Sequence, residues 1–465
     1  MRVLSRIGRW LDDRSGWGDA LRRFARHPVP EGTDWRYVLG SATLVAFLAQ
    51  VVTGIALSTV YVPSTASAYE SLQTITHHAS WGRLVRGMHD VGASAMMILI
   101  GAHLARTYLT ASYKYPRELS WLSGVMLLLC VVLMAFSGQL LRWDQDGVWS
   151  AVVAAEQLSR MPVVGRSLAH LLLGGPSVGA STLSRSFAVH VFLIPGLIFI
   201  GVALHIALVV RNGISEPPEH SPPRVDPRTY RAWYRDLLAR AGHPFWPDAA
   251  WRDAVFAFLV VVAIVGLALT LGPHALGKPP DPSNVDASPR PDWYFLWYFA
   301  LLAMLPKSLE QPVIVLAPLI GAIALVLLPF VGGTGSRHLR QRPWALAIVA
   351  LAVGTIGWFT YEGYRAPWSP RFAAEPLAGT SLASTTSSAA RVGAALFHDK
   401  GCAFCHSYGG IGGIRGPDLT HVTQRLNHPQ LISRILGGGG NMPPFATRLS
   451  DDELRAIVAF LEMKR

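Results

Sequence analysis

The sequence predicts an all-α chain, a polytopic membrane helix bundle of seven spans followed by a small all-α domain, and three observations carry that reading. Hydrophobic residues fill 51% of 465 positions, charged residues only 15%, and mean hydropathy is +0.32; a soluble domain has roughly 25% charged residues. Seven stretches supply the ~20 mostly apolar residues that a bilayer-crossing helix needs, at 37–60, 88–108, 119–141, 187–210, 255–271, 312–331 and 343–361. After 361 the composition changes, first to a run rich in Pro, Ser, Thr and Ala, then from Arg391 to that of a small soluble domain. A wholly soluble enzyme and a disordered chain are excluded.

Residues 1–36 carry arginines through an amphipathic pattern without the long apolar core of a signal peptide, and are expected to lie on the membrane surface. The net charge of +12 and pI near 9.9 belong to loops that set topology, so no nucleic acid is expected. With the N-terminus on the cytoplasmic side, that side holds 21 Lys and Arg against 9 opposite, and 11 follow residue 361. Seven spans then place the C-terminal domain on the extracytoplasmic side of a bacterial inner membrane.

The expected division is a surface segment (1–36), a four-helix bundle (37–215), a cytoplasmic linker (216–250), a three-span region (251–361), a tether (362–390) and the C-terminal domain (391–465). A domain that small usually needs a cofactor or metal to hold it together. Cys402, Cys405 and His406 form CxxCH, in which two thiols can bond a haem covalently and the adjacent histidine can ligate its iron. Met442, on a loop after a glycine run, is the expected sixth ligand, with His421 and His428 as the competing ones; a thioether raises the haem potential. The segment resembles a small class I cytochrome c.

Ionisable side chains inside spans are costly and functional by default. The second span carries His89 and His103, fourteen residues apart, and the fourth carries His190 and His205, fifteen apart. Fourteen residues cover about 21 Å and close to four turns, so each helix presents two histidines on one face near opposite membrane surfaces. Two such helices facing one another make two bis-histidine pockets for two b-type haems. Gly40 and Gly54, and Gly124 and Gly138, repeat the spacing of fourteen on the first and third spans, leaving room for a flat macrocycle near the backbone. Arg86 and Arg106 stand three residues from His89 and His103 towards the nearer surface, where a guanidinium can pair with haem propionates. Cys130 is read as a small buried apolar residue.

From about Val29 to Tyr361 these features resemble cytochrome b of the cytochrome bc complexes. Beyond the four histidines and four glycines, the resemblance rests on the loop Gly174-Gly175-Pro176-Ser177-Val178-Gly179, the run Thr182-Leu183-Ser184-Arg185, and Pro291-Asp292-Trp293-Tyr294. The spacing of fifteen and the three later spans are similar to the plastid and Firmicutes type, with cytochrome b and subunit IV fused. The resemblance implies an outer haem on His89 and His190 and an inner one on His103 and His205. It also implies a quinol pocket near Gly174, Gly175, Pro176, Pro291, Asp292, Trp293 and Tyr294, with Asp292 and Tyr294 catalytic.

The implied activity is that of a quinol:cytochrome c oxidoreductase subunit. Quinol would be oxidised at the outer face, with electrons passing to a Rieske protein and the chain's own haem c, and across the membrane to a quinone near Arg211 and His220. The chain has no Rieske motif, so a partner supplies that cluster. The quinone pool, membrane lipid, a downstream cytochrome c or oxidase and a second copy of the chain are the other implied partners. Three departures stand out: Asp292 replaces the commoner Glu, Val38 replaces a cysteine that holds an extra covalent haem in plastid-type proteins, and Ser186 replaces an aromatic. The alternative enzyme reading is a two-haem anchor of a non-bifurcating dehydrogenase; the non-enzymatic one is a haem-bearing structural protein.

Overall fold

The computed structural model describes residues 2–175, 178–280, 290–365, 387–412, 417–438, 442 and 444–463, without the side chains of residues 2–7, 9 and 307. Among the described residues, seven helices are long and apolar enough to cross a membrane, at Leu39–Ser58, Gly82–Leu109, Glu118–Leu141, Ala180–Asn212, Phe245–Thr270, Ser308–Val331 and Pro343–Arg365. Several outrun their apolar stretches, the second by six residues at its start. Hydropathy marks only the part of a helix suited to lipid, whereas the backbone ladder continues as long as its own hydrogen bonds close.

The fourth span is not a uniform helix. It widens into a π-turn at Val189–Leu193, and Pro195 follows at once. Proline lacks the N–H that would bond the carbonyl four residues back, and its ring crowds that carbonyl, so the local turn takes up one extra residue. This gives the spacing of fifteen on this span, against fourteen on the second, its physical meaning: the surplus residue is absorbed beside His190.

The first span packs on the second, the third on the fourth, and the fifth against the first two. Their shared core holds Ala42, Ala46, Phe47, Met96, Ile100, Cys130, Val131, Ile198 and Ile264; the alanines let the backbones approach. Cys130 is buried there, as expected. A short apolar helix, Trp293–Met304, lies against the seventh span. Asp292, from the Pro291-Asp292-Trp293-Tyr294 motif, stands at the N-cap of this helix. The N-terminal segment forms two helices, Arg2–Ser15 and Trp17–Ala25, broken at Gly16 with φ 65°. Trp10, Leu11, Trp17, Leu21 and Phe24 are exposed on them.

At the end of the bundle beyond His103 and His205, a buried ionic seam ties three loops together. The Glu216 carboxylate, fully buried, takes an ion pair from Arg337, also buried, and hydrogen bonds from Tyr230 Oη at 2.5 Å and Ser221 Oγ at 2.9 Å. Arg117 donates to Tyr230 Oη at 2.8 Å and to the Gly213 carbonyl at 2.9 Å, and Arg337 Nε donates to the Thr110 carbonyl at 3.1 Å. Burial pushes the Glu216 carboxyl up, but the Arg337 and Arg117 charges outweigh it and hold it below the usual carboxylate range.

The C-terminal domain is a helical unit of Ser388–Asp399, Cys402–Cys405, His428–Gly437 and Asp451–Leu461. Phe397, Tyr408, Leu431, Ile457 and Phe460 fill its core. Its last helix opens with a capping box: Glu453 N–H donates to Ser450 Oγ and Glu453 Oε2 accepts from Ser450 N–H. Most of the expected tether, Pro176 and Ser177 lie outside the described residues.

Removing one partner of a buried ion pair leaves an uncompensated charge, a cost of about 3–5 kcal/mol. Glu216→Ala is therefore expected to lower the thermal stability of the detergent-solubilised protein by that amount, measured by thermal denaturation; an unchanged transition would show that the seam contributes little.

Candidate functional site

The histidines predicted from spacing do face one another across the bundle. The rings of His89 and His190 stand 6.4 Å apart between centroids, and those of His103 and His205 stand 6.5 Å apart. Two metal–imidazole bonds of roughly 2 Å, plus about 1 Å from each nitrogen to its ring centre, span about 6 Å, so each gap fits one iron with both histidines as axial ligands.

Neighbouring hydroxyls set which nitrogen is free. Thr53 Oγ1 lies 2.9 Å from His89 Nδ1, Ser137 Oγ 3.0 Å from His190 Nδ1, and Ser123 Oγ 2.9 Å from His205 Nδ1. Each hydroxyl already donates its own proton to a carbonyl one turn back, at Ala49, Met134 and Ser120. It therefore accepts from Nδ1–H, which leaves Nε2 with its lone pair for the metal and fixes the ring's orientation. The sequence signal for this was a hydroxyl residue directly before Gly54, Gly124 and Gly138, and it went unread.

The four glycines do a more specific task than clearing a macrocycle. A Cβ built on Gly54 would sit 3.2 Å from His89 Cε1, on Gly138 2.8 Å from His190 Cε1, on Gly40 3.3 Å from His103 Cε1, and on Gly124 3.5 Å from His205 Cε1. Each glycine thus backs one imidazole, and the close approach at Gly138 admits no side chain without a shift.

The two arginines separate. Arg106 is half-buried with its guanidinium 3.8 Å from the Tyr37 ring centroid, and its Nε and Nη2 are shielded from solvent without a hydrogen-bond partner. Shielded cationic donors without partners favour an anion, and a haem propionate suits them. Arg86 is also buried, but its terminal nitrogens bond Thr76 Oγ1 at 2.7 Å and the His274 carbonyl at 2.8 Å, so it anchors the loop after the fifth span.

One cavity of about 360 Å³ joins the first histidine pair to Asp292 and Tyr294, with Arg86, Asp90, Arg142 and His274 also on its wall. Both Asp292 oxygens are engaged: Oδ2 accepts from Tyr294 Oη at 2.7 Å and Oδ1 stands 3.7 Å from Arg142 Nη1. Burial, then the Asp292 charge, push the Tyr294 phenol well above its usual range, so it stays a neutral donor. Arg142 is held by the fully buried Asp144 at 2.6 Å. Gly174 caps the helix Gly165–Leu173 in the left-handed conformation, φ 73°. Among the described residues, Gly174, Gly175, Pro291 and Trp293 are not on the cavity wall; Trp293 Nε1 donates to Ser94 Oγ at 3.1 Å instead. Val38 and Ser186 are buried, whereas Arg211 and His220 are exposed, and His220 reaches the Glu31 carbonyl at 3.3 Å.

In the C-terminal domain His406 is buried, its Nδ1 donating to the Pro417 carbonyl at 2.9 Å. Burial holds it below the usual imidazole range, hence neutral, with Nε2 free. Met442 packs with Cys402 against the core, whereas His421 and His428 are exposed and His428 is paired with Glu462 at 2.8 Å. The donor set fits a covalently held haem with His and Met axial ligands.

Gly138→Val is expected to cost more than half of the b-type haem in purified protein, while Gly101→Ala, whose Cβ would meet nothing within 4 Å, leaves it unchanged. Haem content per polypeptide checks this; equal content in both variants contradicts the role given to Gly138.

Comparison with known proteins agrees with this geometry. Residues 24–213 match the family "Cytochrome b/b6/petB", residues 279–380 match "Cytochrome b(C-terminal)/b6/petD", and residues 388–461 match "Cytochrome C oxidase, cbb3-type, subunit III". A cytochrome b of Rickettsia prowazekii is 31% identical over 75% of this chain and 85% of that protein. A cytochrome b6 of Heliobacterium mobile is 40% identical over 45% of this chain and 99% of its own length. Among solved structures, a chain titled "Hyperthermophilic respiratory Complex III" superposes with TM-score 0.62 at 27% identity, covering 77% of this chain and 91% of that one. This multi-pass membrane chain belongs to the cytochrome b family, as an electron-transfer subunit of the cytochrome bc type with a cytochrome c domain fused at its C-terminus.

Proposed function

We propose that the chain is the cytochrome b/c fusion subunit of a quinol:cytochrome c oxidoreductase, and that it oxidises quinol at the outer face and contributes to a proton gradient. The observation that carries this is the cavity that places Asp292 and Tyr294 on one wall with His89 and His190. A site that takes protons from a substrate thus opens onto a site built to hold a one-electron carrier. Two b-type haems on the histidine pairs and one c-type haem on Cys402, Cys405, His406 and Met442 would supply iron that accepts and passes single electrons.

The chain's own groups handle the substrate and its protons. Tyr294 donates to Asp292, and Arg142 stands by the other carboxylate oxygen, so Asp292 faces the cavity as an oriented base. A quinol hydroxyl that displaces one of these partners meets a carboxylate able to take its proton. The apolar wall around the first histidine pair, with Phe47, Met96, Met97, Val131, Ile198 and Phe199, suits a flat macrocycle and excludes bulk water from it.

A Rieske protein would supply the second electron acceptor at the outer surface, a downstream cytochrome c or oxidase would take electrons from the C-terminal domain, and the complex would be a homodimer in a bacterial inner membrane. The positive-inside count supports a periplasmic C-terminal domain. Val38 in place of a cysteine leaves no thiol for an extra covalent haem at that position.

General acid–base groups contribute about 10²–10⁴-fold. Asp292→Asn is expected to slow quinol-dependent cytochrome c reduction by about a hundredfold with unchanged haem spectra. A variant at full rate would remove Asp292 from the mechanism.

A further inference from the structure

The cavity wall carries a fixed positive charge between the first histidine pair and Asp292. Arg142 directly follows the third span, Glu118–Leu141, and lies one helical turn beyond Gly138. Residues four apart share a helix face, and Gly138 backs His190, so Arg142 stands on the side of that imidazole; both line the cavity. The guanidinium is held rigidly. Its Nε and Nη2 both donate to Asp144 Oδ2, at 3.1 and 2.6 Å, and Asp144 is itself fully buried and pinned by the N–H groups of Gly147 and Gly277, each at 2.9 Å. The third nitrogen, Nη1, stands 3.7 Å from Asp292 Oδ1.

We propose that Arg142 is a positioning residue that links the charge of Asp292 to the redox potential of the outer iron site on His89 and His190. Its guanidinium favours the reduced iron, which carries one positive charge fewer; the Asp292 carboxylate cancels part of that influence, and a proton on Asp292 releases it. The site thus becomes a stronger electron acceptor once Asp292 has taken a proton from quinol. Two further carboxylates face the guanidinium, Asp144 and, at 3.7 Å, Asp146, whereas Arg86, Asp90 and His274 share the cavity wall. Of the three carboxylates around Arg142, Asp292 is the one on that wall, so it is the one whose charge a substrate in the cavity changes.

The inference rests on the quinol-oxidising function. In becoming quinone, quinol loses two protons and two electrons: Asp292 takes one proton, an iron–sulfur acceptor takes the other with one electron, and the second electron goes to the outer haem. Arg142 exchanges nothing and stays charged throughout, because a guanidinium does not deprotonate in proteins.

The test is a redox titration of the purified intact complex at one fixed pH, with chemical mediators in place of quinol, following both b-type haems by absorbance; the outer one is assigned as the haem that His190→Leu removes. Arg142→Gln is expected to lower the ratio of reduced to oxidised outer haem at a given potential about tenfold, which is about 59 mV for a one-electron couple. Asp292→Asn is expected to raise that ratio by a similar factor. Arg142→Lys, which keeps the charge, and the inner haem in every variant are expected to stay within about threefold of wild type. Shifts of the same sign in Arg142→Gln and Asp292→Asn, a shift below about threefold in either, a Lys variant that moves as far as the Gln one, or an inner haem that moves in parallel would each overturn the link. If Arg142→Gln loses its outer haem, Asp292→Asn decides, since it leaves Arg142 and Asp144 in place: a raised ratio supports the link and an unmoved one overturns it. No quinol takes part in the titration, so opposite shifts in a complex that oxidises no quinol would retain the link and sink the proposed function.

Discussion

Everything in the membrane portion depends on two imidazole pairs held open across a helix bundle by one metal's width. Rings 6.4 and 6.5 Å apart are too distant to touch, and close-packed apolar helices would ordinarily close such a gap. The bundle keeps it open by cutting the first and third spans back to glycine behind each ring. It also ties three of the four rings by Nδ1 to a hydroxyl whose proton is committed elsewhere. Polar rings inside a membrane are expensive; an iron that uses Nε2, with hydroxyls that use Nδ1, satisfies both nitrogens.

The charged groups at the ends of the bundle follow from the same requirement. Arg106 is half-buried, with two shielded donors left without partners beside the second pair, a state that makes sense once an anion is bound. Arg86 has its donors satisfied by Thr76 and His274, so sequence symmetry about the histidines conceals two different jobs. Likewise Asp292, one methylene shorter than the commoner Glu, is matched here by Arg142 and Tyr294, each meeting one of its oxygens. A shorter carboxylate with two partners is a positioned base rather than a freely swinging one.

What the sequence made legible was whatever repeats along one helix. Histidines at fourteen and fifteen residues, glycines at fourteen, the seven apolar runs, and CxxCH followed by Met442 are periodic or local, and the helices carry them through to three dimensions. What it concealed depends on residues far apart in the chain. Glu216 with Arg337, and Asp90 with His274, are joined only when segments far apart in the chain meet, and no local pattern announces them. The π-turn before Pro195 lies between these cases: the proline was visible, but its effect on the histidine spacing needed the backbone. The helix Trp293–Met304 is equally hidden, because twelve apolar residues are too few to mark a span.

Cofactor stoichiometry tests the central claim most directly. The chain, purified from its native membrane, should yield two non-covalent b-type haems and one covalent c-type haem per polypeptide by pyridine haemochrome spectra and by haem staining of a denaturing gel. One b-type haem, or none, would contradict the reading of the two histidine gaps as a pair of iron sites, and a second covalent haem would contradict the role assigned to Val38.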